Sequence, residues 1–244
     1  MSKKKKSKEE GKKKKEGMSN LSAILTVSFA LLLGIGIFIG MPIFLTTTIF
    51  NIEQEALLFN LVAGLFRITF FLLYVWGISF MKDVVRLFQY HGAEHKSIFA
   101  FEGKVFLSPE NAQKFTTFHP RCGTSFLVMV MVISLFFFAF LDALIINFYG
   151  DINFIIRLLT HIPFVPIVGG IGYEAIKASA KRTDSAIVQF LITPGLWLQR
   201  ITTNNPDLEQ LEVAIAALKA ALGDEYKDEL VSEDEPTPEA VTAV

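Results

Sequence analysis

One cysteine in 244 residues, Cys122, excludes an internal disulfide, so the fold has no need of an oxidising compartment. Histidine is almost as scarce, with four copies. Charged residues make up 19% of the chain, below the ~25% of a soluble domain. Hydrophobic residues reach 52%, and the mean hydropathy is +0.45. The missing charge is missing in blocks. Leu21 to Phe50 contains no Asp, Glu, Lys or Arg, and an apolar run of that length predicts a membrane-spanning helix. It is too long for a signal-peptide core and lacks a small-residue cleavage site.

Three more apolar runs follow, roughly Ala56 to Met81, Thr124 to Phe148 and Ile152 to Ile176. The sequence therefore predicts an all-α, polytopic membrane protein with four transmembrane helices. The short turn Tyr149-Gly150-Asp151 makes the last two an antiparallel hairpin. The charge that is present is segregated. Residues 1–16 hold nine lysines and three glutamates, whereas the breaks at 51–55 and 149–151 hold no Lys or Arg. Lys82, Arg86, Lys96, Lys104, Lys114 and Arg121 all fall between the second and third spans. The positive-inside rule then places both termini and the 82–121 segment in the cytoplasm.

Outside the spans, residues 1–18 form a lysine-rich tail expected to be disordered, and 223–244 an acidic one. The tract can set topology, bind anionic lipid head groups or contact ribosomal RNA. No DNA partner is expected; membrane lipids and a membrane-protein partner are. The membrane domain covers 19–203, with a cytoplasmic loop at 82–123. Asp184 to Thr203 is apolar but carries Pro194-Gly195, which predicts an interfacial or re-entrant segment. Pro206 then opens an amphipathic helix over 204–222, with Asn205 as its N-cap.

Within the spans, Asp142 and Arg157 fall at one depth on the hairpin, at about 1.5 Å per residue, and predict an ion pair. His161, ahead of Pro163 and Pro166, is expected to bond a carbonyl freed by the kink. With these charges paired and no internal repeat visible, a transporter is not favoured.

Three of the four histidines and the cysteine occupy two short polar strings, Tyr90-His91-Gly92-Ala93-Glu94-His95-Lys96 and His119-Pro120-Arg121-Cys122-Gly123-Thr124. On a helix, His91, Glu94 and His95 project to one side. His-x-x-Glu-His is the inverted zincin pattern, in which two histidines hold the metal and the glutamate takes a proton from its water. His119, Cys122 and Glu174 compete to complete the ligand set. Glu94 is the candidate general base, and His119 or Arg121 would stabilise developing negative charge. Zinc is the first expectation from these ligand types, with iron or manganese if oxygen ligands dominate. The bland alternative is a surface histidine cluster beside an inert buried thiol.

These two strings, with Pro194-Gly195-Leu196-Trp197-Leu198-Gln199-Arg200 and Leu211-Glu212-Val213-Ala214-Ile215-Ala216-Ala217-Leu218, resemble the YqhQ-like family of bacterial membrane proteins. The resemblance runs from the second span to about Leu222 and implies a metal-dependent enzyme in the bacterial cytoplasmic membrane. Where such proteins often begin with a glycine-rich segment, this chain carries the lysine tract. Two function classes follow: a metal-dependent hydrolase at the cytoplasmic membrane face, or a non-catalytic accessory protein, attending the translocon, ribosome or another membrane complex, with a structural metal or polar site.

Overall fold

A computed structural model describes residues 20–179 and 185–223. The lysine tract and the acidic tail beyond Gly223 lie outside the described residues. Among these, every regular element is a helix. Four helices are long and apolar enough to cross a membrane: α1 (Asn20–Phe50), α2 (Ala56–Ile78), α5 (Gly123–Tyr149) and α6 (Phe154–Ser179). The others are α3 (Lys82–Glu102), α4 (Pro109–Gln113), α7 (Ala186–Thr202) and α8 (Leu208–Leu222).

Helix α1 contains a π-turn over Gly36–Gly40, followed two residues on by Pro42. Proline has no N–H to offer the carbonyl four residues back, which is that of Phe38. Arg67 of α2 fills the vacancy, its Nε donating to Phe38 O at 3.1 Å while Nη1 donates to Ser134 Oγ at 3.1 Å. A charged side chain in an apolar span is thus satisfied by a defect in its neighbour.

Helix α5 is the hub of the bundle, packing against α2, α6 and α7. The expected pair across the α5–α6 hairpin is present: Arg157 Nε donates to Asp142 Oδ2 at 2.8 Å, and neither side chain is exposed. Asn60 Nδ2 donates to the same oxygen at 2.7 Å, and His161 Nε2 lies 2.9 Å from Asp142 Oδ1. His161 therefore departs from expectation. It completes the carboxylate's coordination, because a charged partner competes better than a carbonyl in a buried setting, and its ring stacks on Phe138 at 4.1 Å.

At the other end of the bundle, the chain turns through Ser79–Met81, where Met81 is extended, and α3 begins as a separate helix. Its apolar side, including Phe99 and Ala100, joins Val105, Leu107, Ala112, Phe115, Leu211 and Ile215 in a small core of α3, α4 and α8. The cap of α8 lies two residues beyond the expected Asn205. Asp207 Oδ1 accepts from Gln210 N at 2.8 Å, and Gln210 Oε1 accepts from Asp207 N at 3.0 Å. This reciprocal box satisfies two end groups where Asn205 would satisfy one.

The segment expected to be interfacial or re-entrant is one uninterrupted helix, α7, so the chain does not double back. It lies close against the start of α5 because Gly195 has no Cβ; one would fall 2.6 Å from Ser125 Cβ.

Candidate metal centre

The cluster forms where α3, the 114–122 loop, the start of α5 and the end of α7 meet. On α3, His91 and His95 are four positions apart, one above the other, with ring centroids 4.4 Å apart. Cys122 caps α5, its Sγ accepting from Thr124 N at 3.4 Å. One ligand atom from each of His91, His95 and Cys122 falls within 4.8 Å of the others.

Hydrogen bonds fix which ring nitrogens face this point. His91 Nδ1 lies 2.8 Å from Thr202 O, and His95 Nδ1 bonds Thr117 O. A carbonyl only accepts, so both Nδ1 atoms carry protons and both Nε2 atoms are turned toward the thiol. His91 Nε2 is 3.1 Å from Cys122 Sγ. Metal-binding histidines show this arrangement, with the outer N–H held by a carbonyl or carboxylate.

Two close approaches make those bonds possible. Gly92 lets Asn204 cross α3, since a Cβ there would fall 2.1 Å from Asn204 O. Asn204 N donates to Phe88 O at 2.9 Å, which holds Thr202 over His91. On the other side, the Lys96 Nζ donates to Gln113 O at 2.8 Å and to Phe115 O, fastening the loop that carries Thr117. Burial pushes the Lys96 ammonium below its ordinary pKa.

The thiol is strongly perturbed. Burial alone would raise the Cys122 pKa, but hydrogen bonds from His91, His95 and Thr124 hold it down at about 5, which makes it a thiolate near neutrality. Burial alone would lower His91. Its bonds to Cys122 and Thr202, with the negative charges of Cys122 and Glu94, raise it overall.

His119 is close, its ring 5.6 Å from that of His95, but its tautomer differs. Its Nδ1 accepts from Arg121 N at 3.2 Å, so Nε2 carries the proton, buried and without a hydrogen-bond partner, 3.8 Å from Glu102 Oε2. Burial, and then the positive charges of His95 and Arg121, lower its pKa to about 4, so it is neutral. Gln199 of α7 grips its backbone from both sides, accepting from His119 N at 2.7 Å and donating to His119 O at 2.8 Å. Arg121 is paired with Glu102.

Of the candidate ligands, the structure brings His91, His95 and Cys122 together and leaves Glu174 apart. The Glu174 carboxylate is 70% exposed and lies 3.9 Å from Lys177 on its own helix, where the three-residue spacing makes them neighbours. Glu94 is exposed beside the cluster, near enough for its charge to act on His91. Sequence reasoning missed Lys96, Gln199 and the two orienting carbonyls. Lys96 and Gln199 stood within the quoted strings, and a lysine adjoining a candidate ligand on a half-apolar helix was a readable signal. The carbonyls of Thr117 and Thr202 carried none.

Comparison with known proteins places these residues in a family. A family model described as "Protein of unknown function (DUF1385)" matches residues 1–224. "Uncharacterized protein YqhQ" of Bacillus subtilis (strain 168) is 33% identical over 161 residues, which is 66% of this chain. The match takes in 48% of that relative, so the chain spans about half the relative's length. No solved structure matches.

Proposed function

This chain belongs to the DUF1385 family, and we propose that it is a metal-dependent hydrolase whose divalent ion is held by His91 Nε2, His95 Nε2 and Cys122 Sγ. The observation that carries this reading is the pair of Nδ1–H bonds to Thr202 and Thr117, which turns both Nε2 atoms toward the Cys122 thiolate, so that an ion replacing their protons would meet two imidazole nitrogens and a sulfur. Two imidazoles and one thiolate suit zinc, and three protein ligands are the number that leaves a catalytic ion an open position. Such an ion would act as a Lewis acid and activate a water molecule.

The chain's own groups supply the rest. Glu94, exposed and one residue from His95, is the base that accepts the proton. His119 is a neutral Nε2–H donor awaiting an acceptor, suited to an oxygen that gains negative charge, and Arg121 beside it adds a fixed positive charge. The lysines of the 82–121 segment and of the N-terminal tract support a cytoplasmic position for this face and for both termini.

A second reading is favoured by the number of segments involved. The ligands and their orienting carbonyls come from α3, the 114–122 loop, the cap of α5 and the end of α7. An ion there would fasten four segments, as structural zinc does. The protein would then be a membrane accessory or scaffold, its lysine tract touching anionic lipids or ribosomal RNA.

Elemental analysis of detergent-purified protein tests the metal. Stoichiometric zinc is expected in wild type and in Glu174→Ala, and loss of it in His91→Ala, His95→Ala and Cys122→Ser. Wild type without metal sinks the hydrolase and the structural ion, and leaves an accessory protein with a polar site.

A further inference from the structure

A cavity of about 250 Å³ lies between α3 and the start of α8, on a face unrelated to the metal cluster. Its walls include Lys82, Arg86, Gln89 and Tyr90 on one side and Asp207 and Glu209 on the other. Lys82 and His91 are ~2.5 turns apart on α3, so the two sites open on opposite sides of that helix. The charges are arranged unusually. Among the described residues no ion pair within 4.0 Å joins Lys82 or Arg86 to Asp207 or Glu209, although the cavity brings them face to face. Arg86 instead lies over the Tyr90 ring at 5.8 Å.

Two cations facing two carboxylates across a gap complement a ligand that is itself dipolar, with an anionic end and a cationic end. The position says where that ligand comes from. Lys82 opens α3 directly after the turn that ends the apolar helix α2. Trp76 and Phe80, 56% and 68% exposed, meet edge to face at 5.1 Å just before it. Exposed aromatics at the end of an apolar helix mark the head-group level of a bilayer. Met81 and Leu87 are exposed beside them.

The geometry points to a binding site for a phospholipid head group that carries both a phosphate and a primary ammonium, as phosphatidylethanolamine does. Lys82 and Arg86 take the phosphate. The Asp207 and Glu209 carboxylates accept N–H bonds from the ammonium. A quaternary choline has no N–H to donate, and glycerol brings no positive charge. Hydrogen bonds to charged groups are among the stronger ones, so losing the ammonium contacts costs at least about tenfold in affinity.

Native mass spectrometry of the full chain in detergent, with lipids added one at a time, reads this directly. Phosphatidylethanolamine is expected to bind about tenfold tighter than phosphatidylcholine or phosphatidylglycerol. The double variant Asp207→Asn, Glu209→Gln erases that preference and keeps α8 capped, because Asn serves at an N-cap as well as Asp. The double variant Lys82→Gln, Arg86→Gln loses the lipid adduct. Both retain the metal content of wild type, which shows that α3 is folded. Phosphatidylglycerol binding as tightly as phosphatidylethanolamine, or variants that keep the preference, would overturn the assignment. So would free phosphate or soluble phosphoethanolamine displacing the lipid at equal concentration, since either would make this a site for a soluble ion.

Discussion

Among the described residues, two buried polar clusters, one at each end of the helical bundle, contain histidine and an anion. In the first, the Asp142 carboxylate accepts from Asn60, Arg157 and His161, and Arg157 lies over the Phe59 ring at 3.4 Å while also reaching Glu53 O. The anion is enclosed by donors. In the second, each histidine anchors its Nδ1–H on a backbone carbonyl and turns Nε2 toward the thiolate. The difference teaches that residue type does not decide whether a buried cluster is a knot or a site. What the facing nitrogens can give up does. The knot's anion is held by Asn and Arg donors that never lose their protons, whereas the proposed metal site faces its thiolate with imidazole nitrogens whose protons an ion could replace.

The largest effect should come from breaking the knot. Asp142→Ala leaves Arg157 buried and uncompensated, at a cost of about 3–5 kcal/mol. Unfolding of the purified protein in SDS should show it, while the protein that remains folded keeps its metal. Equal loss of metal and stability would mean that the two clusters are one unit.

Acidity comes second, and separates the clusters by a single group. The Cys122 pKa is depressed from its ordinary 9.0 to about 5, so its thiolate stabilises the metal-free fold at high pH. That contribution is fully present above about pH 9 and is lost as pH falls through about 5. Thiolate absorbance of chelator-treated protein should titrate near pH 5. A midpoint near pH 9 would remove the His91–Cys122 contact from the argument.

The third test compares two glycines. Gly92→Ala drives a Cβ into the Asn204 backbone, which cannot yield as a side chain does, and should cost about 1–3 kcal/mol. It also shifts Thr202 away from His91. Gly64→Ala in the apolar bundle meets only the tip of Leu135 at 3.0 Å and should be mild. Metal affinity, read by chelator competition, should fall for Gly92→Ala alone.

How far these features could be read in advance differs between the clusters. The pairing of Asp142 with Arg157 followed from depth on a hairpin, because two charges in apolar helices have few alternatives. The convergence of His91, His95 and Cys122 followed from helical spacing and from loops sharing one end of the bundle. The proton directions did not follow, since any residue presents a carbonyl and only the tertiary crossing at Gly92 brings that of Thr202 to His91. The cap of α8 was misjudged because Asn205 and Asp207 are both good N-caps, and only the reply from Gln210 distinguishes them. Glu174 was plausible by its place in the chain, yet a helix fixes direction as well as depth, and its side chain points outward.

Lys96→Met probes a smaller effect within the second cluster. Removing the ammonium frees the carbonyls of Gln113 and Phe115 and loosens the loop that orients His95. Loss of such outer support typically weakens metal binding by about 10–100-fold. Chelator competition should show that loss with the helical content intact. An unchanged affinity would mean that the loop is held by the Gln199 bonds to His119 and by the Thr203 Oγ1 bond to Thr117 Oγ1 without help.

The smallest expected effect on binding is the most informative about chemistry. Glu94 contrasts with Asp142: one carboxylate is exposed and lightly engaged, the other is enclosed by three donors. Glu94→Gln removes a charge that acts on His91 only from a distance, so metal content and stability should stay within about twofold and 0.5 kcal/mol of wild type. Complementation of a deletion strain by this variant then divides the two functional readings. A hydrolase loses its base and fails to complement, whereas a structural cross-link is indifferent to an exposed carboxylate and complements fully. Loss of the metal itself would show that Glu94 turns inward to ligate, which would move it from base to ligand.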